Sequence, residues 1–327
     1  MAGRRTNLGL LWGTVISAFT GAGAFMVGTP AGRWVVVAHG VTALVIVILS
    51  PWKTTIARRG LARARRGSVT SISLIAVTLA TIASGVLLIL GSVNRLGPFT
   101  TMQVHVTLGV AALALTVAHL AQRPASHHRT DFSRRSLIRS GGVLAAAGGL
   151  WLTAEGTLQG FGSRGSRRRF TGSHPIIDAS AIPVTQWLDD DVQHLDRDNY
   201  AVTILGRDVE LSDLESSEEV EATLDCTGGW YTIQSWRGVT LDRVLGDAKG
   251  ESVVVRSTTG YWRRFPRDQA SALWLVTHLA GAPLSDGHGG PVRIVAPGRR
   301  GYWWVKWVSS IEVDDVPPWW QPPLPLA

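Results

Sequence analysis

The 327-residue sequence contains one cysteine, Cys226, and no aspartate or glutamate anywhere in residues 1–130. A lone thiol can form no intrachain disulfide and no multi-cysteine zinc site. The acid-free stretch holds 12 of the 32 basic residues, so the net charge of +8 is an average over two unlike halves. From Phe170 onward, 13 basic residues face 22 acidic ones, a balance of −9. A segment of that sign cannot neutralise phosphates, so no nucleic-acid partner is expected.

The acid-free part contains four apolar runs, approximately Leu8 to Gly28, Trp34 to Pro51, Val69 to Gly91 and Thr101 to Ala121. As helices each can cross about 30 Å of hydrocarbon. The connections alternate in charge. Lys53, Arg58, Arg59, Arg63, Arg65 and Arg66 crowd one loop, and Arg123, Arg129, Arg134, Arg135 and Arg139 the next but one, whereas the opposite loops carry only Arg33 and Arg95. The positive-inside rule then places the N-terminus in the cytoplasm, with Trp34 and Trp52 as interfacial aromatics of the second span. After the fourth run, Ser133-Arg134-Arg135-Ser136-Leu137-Ile138-Arg139 and the Gly/Ala-rich Gly141 to Ala154 resemble a twin-arginine export signal, which a translocase for folded cargo reads. With no small-residue cleavage site after it, the segment is expected to remain as a fifth anchor. The expected divisions are a four-helix transmembrane domain over 1–130, signal and anchor over 131–159, a flexible Gly/Ser/Arg linker over 160–169, and an extracytoplasmic domain over 170–327.

That last domain reads as short strands, among them Tyr200 to Leu205, Ser252 to Arg256 and Pro291 to Ala296, with a few helices such as Arg267 to Ala280. It carries Leu224-Asp225-Cys226-Thr227-Gly228-Gly229-Trp230, then Trp236-Arg237-Gly238-Val239, then His288-Gly289-Gly290-Pro291-Val292-Arg293, and last Val305-Lys306-Trp307. In kind and order these motifs resemble the molybdopterin-binding domain of the sulfite oxidase superfamily, which includes the periplasmic methionine sulfoxide reductases. The resemblance covers roughly Arg169 to Glu312. It implies a mixed α+β fold with Cys226 as a molybdenum ligand. A soft thiolate suits such a metal when an organic dithiolene supplies further sulfurs. It also implies that Trp230, His288, Gly289, Gly290, Arg293 and Lys306 hold the pterin and its phosphate. The glycines, Gly298 among them, would let backbone approach the ring system. Tyr261, in Gly260-Tyr261-Trp262-Arg263-Arg264, falls where relatives line the substrate pocket and is a candidate catalytic residue. Thr-Gly-Gly-Trp follows Cys226 in place of the arginine-containing run of sulfite oxidase proper, which weakens sulfite as a substrate.

Three histidines lie in the apolar runs, where ionisable groups are functional candidates. His39 and His105 fall about 6 to 8 Å below the outer end of their spans, at one level. They are therefore candidate axial ligands of one haem b, with Gly21 and Gly23 making room for it. His119 lies near the other end with no histidine opposite. This arrangement loosely resembles small b-type cytochromes that serve molybdenum partners.

The sequence thus predicts a multi-domain chain in a bacterial cell membrane, an all-α transmembrane bundle followed by a sulfite oxidase-like molybdopterin domain. The expected activity is oxygen-atom transfer on a small S- or N-oxide, with electrons from a membrane donor such as quinol. Alternatives are a sulfite-type oxidase and a non-catalytic electron relay.

Overall fold

The structure, a computed structural model, describes residues 2–61, 68–122, 133–187, 190–214 and 217–325. Arg63, Arg65, Arg66, Arg123, Arg129, His127 and His128, all assigned above to basic loops, lie outside the described residues. The chain divides into two compact units, Met1–His174 and Pro175–Ala327.

The first unit is built on five helices, α1 (Ala2–Met26), α2 (Arg33–Leu61), α3 (Ser68–Leu90), α4 (Thr101–Gln122) and α5 (Arg134–Gly160). All five are long and apolar enough to cross a membrane. Helix α2 does not end near Pro51. It runs on through that proline to Leu61, so Lys53 and Arg58 lie on the helix and not in a loop. Helix α1 faces α2 with small residues: a Cβ at Gly9, Gly13 or Gly23 would come within 3.1 Å of Leu49, Ile46 or Val35 respectively. Small residues at such a contact let the two helix backbones approach closely. Helix α5 docks on α2 by a similar device, with the Trp151 ring filling the space that a side chain at Gly40 would need. The twin-arginine residues open α5, whose N-cap Ser133 accepts a hydrogen bond from the Ser136 amide.

Residues 160–169 are not a flexible linker. Arg164–Arg167 forms a 3-10 turn, Gly165 sits so close to the Ile89 carbonyl that a Cβ would lie 2.2 Å from it, and Arg168 pairs with Glu155 of α5. His174 Nε2 donates to the Leu88 carbonyl at 2.8 Å, which ties the segment to the end of α3. The first unit therefore extends about five residues beyond the expected boundary at 169.

The second unit contains two sheets around a buried aliphatic and tryptophan core. In the first sheet β3 (Glu219–Asp225) pairs antiparallel with the long β4 (Trp230–Thr240), which pairs with β7 (Trp274–Leu279); β8 (Ala282–Pro283) and β9 (Arg293–Val295) both pair with β7. The second runs in the order β2 (Arg207–Glu210), β1 (Ala201–Ile204), β10 (Val308–Asp314), β5 (Ser252–Ser257), β6 (Trp262–Pro266). Its single parallel pair is β1 with β10. The helix expected over Arg267 to Ala280 is instead a 3-10 turn, Arg267–Ala272, followed by strand β7. The β-branched and apolar run Trp274 to Leu279 is buried on both faces, and such a run lacks the alternation that separates strand from helix.

Candidate functional site

Cys226 sits at the tip of the β3–β4 hairpin. The register Leu224↔Thr232 and Asp225↔Tyr231 leaves Cys226 to Gly229 as the loop, closed by Cys226 N–H to Trp230 O at 2.9 Å and Gly229 N–H to Cys226 O at 3.1 Å. Gly229 has φ +91°, which favours glycine at that position. The thiol is buried. The Gly228 amide donates to Sγ at 3.3 Å, and Thr185 Oγ1 lies 3.7 Å away. Burial pushes the Cys226 pKa up, so the free thiol keeps its proton and a metal would have to displace it. Directly behind it, Arg300 Nη1 bonds Asp225 Oδ1 at 2.5 Å and its Nη2 donates to the Cys226 carbonyl at 3.3 Å, both side chains at most 2% exposed.

The remaining motifs converge by packing. Gly238 lets β4 and β7 meet, since a Cβ there would lie 2.1 Å from the Leu275 carbonyl. Next to it, buried Trp236 stacks edge-on against Trp304 with centroids 5.3 Å apart, and the Arg293 guanidinium lies 5.4 Å and 5.7 Å from the two rings. Arg293 donates to the carbonyls of His288 (2.8 Å) and Trp304 (3.2 Å), and burial lowers its pKa to about 10. Lys306 Nζ donates to Thr185 O at 2.7 Å and Gly287 O at 2.6 Å; burial, with Arg293 nearby, lowers its pKa to about 7. His288 is fixed between Ser285 Oγ at 2.8 Å and the Ile182 carbonyl at 3.1 Å.

Several buried donors among the described residues are orphaned, and two of them belong to residues expected to hold the pterin. Trp230 Nε1, near Gly228 beside the cysteine, and Arg293 Nε have no hydrogen-bond partner. Unsatisfied buried donors are costly, and these fit a ligand bearing sulfur, ring-nitrogen and phosphate acceptors. The donor set therefore fits a pterin cofactor whose metal Cys226 would ligate.

At Gly289 and Gly290 a Cβ would collide with Lys306 Cγ at 2.7 Å or the Leu284 carbonyl at 2.4 Å, so the chain's own packing also requires glycine there. Gly298 has open space around it. The Tyr261 hydroxyl donates to the Tyr302 carbonyl, and burial raises its pKa, so its proton is committed to the backbone. Thr185 and Arg300 lie outside the motifs, and the pairing of Arg300 with Asp225 is visible only in the folded chain. Arg263 and Arg299 lie on the Trp303 ring, at 4.1 Å and 4.4 Å from its centroid, and buried Arg263 leaves Nε and Nη2 without partners.

In the first unit, His39 and His105 face each other, ring centroids 6.0 Å apart and planes at 87°. His39 Nδ1 donates to Ser17 O at 2.9 Å, and His105 Nδ1 donates to Thr81 O at 3.0 Å. With each Nδ1–H committed to a carbonyl, the lone pair resides on Nε2, the tautomer a metal-binding imidazole needs. Gly21 packs on the His39 ring and Gly85 on the His105 ring, each with a virtual Cβ 3.0 Å from Cε1, whereas Gly23 packs on Val35. Gly85, unmarked in the sequence, thus does for His105 what Gly21 does for His39.

Residues 190–319 match the family model described as the oxidoreductase molybdopterin binding domain. The second unit thus carries an oxidoreductase molybdopterin binding domain. Among solved structures it is similar to the sulfane dehydrogenase SoxCD from Paracoccus pantotrophus, at 23% identity and a TM-score of 0.36, covering 38% of this chain and 40% of that one. No curated protein matches the chain.

Proposed function

We propose that the chain is a membrane-anchored molybdenum–pterin oxidoreductase that reduces a small S- or N-oxide, such as methionine sulfoxide, with electrons from quinol passed through a haem b. In this reading five helices span the membrane, the N-terminus is cytoplasmic, the second unit lies outside, and the twin-arginine translocase exports it. When bound, the molybdenum–pterin cofactor supplies oxygen-atom transfer and the redox change that accompanies it. The chain's part is to present Cys226 as ligand and Trp230, His288, Arg293 and Lys306 as the cofactor's cradle. Arg300 fixes the cysteine loop from behind.

The observation that carries the electron route is the imidazole pair. Two imidazoles on opposite sides of one iron, each nitrogen about 2.0 Å from the metal, have ring centroids about 6 Å apart. The separation in the structure is 6.0 Å.

A second reading, a sulfite-type oxidase sending electrons to the membrane, gains support from Arg263, whose partnerless Nε and Nη2 suit an oxyanion. The net acidity of this part of the chain therefore does not count against an anionic substrate, because the local surroundings of Trp303 are cationic. One experiment separates the two. The purified protein is reduced anaerobically and mixed with methionine sulfoxide or trimethylamine N-oxide. Haem reoxidation that is lost in Cys226→Ser supports reduction; haem reduction of the oxidised enzyme by sulfite, with no response to either oxide, overturns it.

A further inference from the structure

Helices α1 to α4 form two hairpins that repeat one arrangement. In the first, Ser17, Thr20 and Gly21 of α1 surround His39 of α2; in the second, Thr81, Ser84 and Gly85 of α3 surround His105 of α4. The correspondence holds atom by atom. The carbonyl of Ser17 or Thr81 takes the Nδ1 proton. The hydroxyl of Thr20 or Ser84 lies 3.5 Å or 3.1 Å from the same nitrogen, and the glycine four residues after the carbonyl bears the ring.

The repeat has a second tier. Ten residues before Ser17 and Thr81 stand Asn7 and Ser71; fourteen after His39 and His105 stand Lys53 and His119. These also pair across each hairpin: Lys53 Nζ donates to Asn7 Oδ1 at 2.8 Å, and Ser71 Oγ lies 3.4 Å from His119 Nδ1. Fourteen residues of helix place this tier about 21 Å along the axis from the imidazole pair. It lies at the end of the bundle that also carries Arg4 and Arg5. The first tier presents two identical ligands, which suits one metal. The second presents an ammonium and an imidazole, which does not. Two unlike hydrogen-bonding groups on separate hairpins suit a flat, apolar ring with an oxygen at each end. Lys53 and His119 are each half-buried, neither sealed in the bundle nor fully exposed. His119, within the fourth apolar run, is an ionisable group of the kind expected to serve a pathway.

We propose that Lys53 with Asn7, and His119 with Ser71, form the site where a membrane hydroquinone is oxidised. This assignment rests on the haem and quinol reading above. Each hydroquinone gives up two electrons and two protons. The electrons would leave singly for the haem, which would take the second only after passing the first to the molybdenum–pterin centre, while His119 takes one O–H proton and water at this end of the bundle takes the other. Lys53 holds the second oxygen.

The test uses the full chain with its haem in lipid nanodiscs, mixed anaerobically with decylubiquinol or menadiol while haem reduction is followed. His119→Ala and Lys53→Met should each slow reduction by hydroquinone at least tenfold. The haem spectrum and the rate with dithionite should stay unchanged. Fluorescence titration with a hydroxyquinoline N-oxide, a quinone analogue, should show at least tenfold weaker binding in both variants. Unaltered rates and binding would overturn the site alone. Loss of the haem spectrum in His119→Ala would overturn it by making that residue an iron ligand. A wild-type haem that dithionite reduces and hydroquinones do not would overturn the site together with the quinol reading.

Discussion

At the scale of single residues, the site depends on buried charges whose partners are few and close. The Arg300–Asp225 pair, 1% and 2% exposed, lies against the backbone of the cysteine loop. Removing one member of a buried pair leaves the other uncompensated, so Arg300→Met should cost about 3–5 kcal/mol. Urea unfolding followed by tryptophan fluorescence would measure it, and Arg300→Lys should recover part of the loss. Lys306 makes a different prediction. Its pKa of about 7 means the ammonium is present below that pH and is lost above it, while Arg293, at about 10, stays charged. Attraction for the pterin phosphate should therefore weaken as pH rises through about 7. The affinity of cofactor-free protein for isolated molybdopterin, titrated across that range, checks the sign, and Lys306→Met should flatten the dependence.

At the scale of elements, glycine positions decide which helices and strands can meet. Gly85 gives His105 its place against α3, with Cε1 3.0 Å from where a Cβ would be. If haem b is bound as proposed, Gly85→Val should displace the ring and remove the haem absorbance, while Gly109→Val, with nothing within 4 Å, should leave it. The opening of α5 carries a different kind of information. Arg134 and Arg135 are both exposed in the first turn, available to a receptor and not required for packing. The double change Arg134→Lys with Arg135→Lys should leave the first four helices inserted and stop export of the second unit. Normal export of that variant would remove the twin-arginine reading.

At the scale of the whole molecule, the charge division sets the expected sidedness. A bundle with no acid before residue 131 precedes a unit with net charge −9 from Phe170. In the proposed topology, five spans starting in the cytoplasm would end outside. Protease added to intact spheroplasts should release the second unit as a fragment, and its full protection would reverse the topology.

Composition and spacing alone determined a good deal. Apolar length and the absence of acids marked the helices, because lipid-compatible helices must be continuous and nearly uncharged. Motif order marked the molybdopterin domain, because hairpin tips and glycine contacts are local in the chain. The level of His39 and His105 was also legible, since a helix converts residue number into depth at a fixed rise. Other features were decided only by the tertiary structure. Segment 160–174 is rich in glycine and arginine and resembles a linker until Glu155, Ile89 and Leu88 supply its partners. Strand β7 resembles a helix until β4 and β9 take its backbone hydrogen bonds. Arg300 and Asp225 are 75 residues apart, and nothing in either neighbourhood announces the other. The physical reason is common to all three. A buried polar or backbone group must find a partner, and when that partner is distant in sequence only the folded chain identifies it.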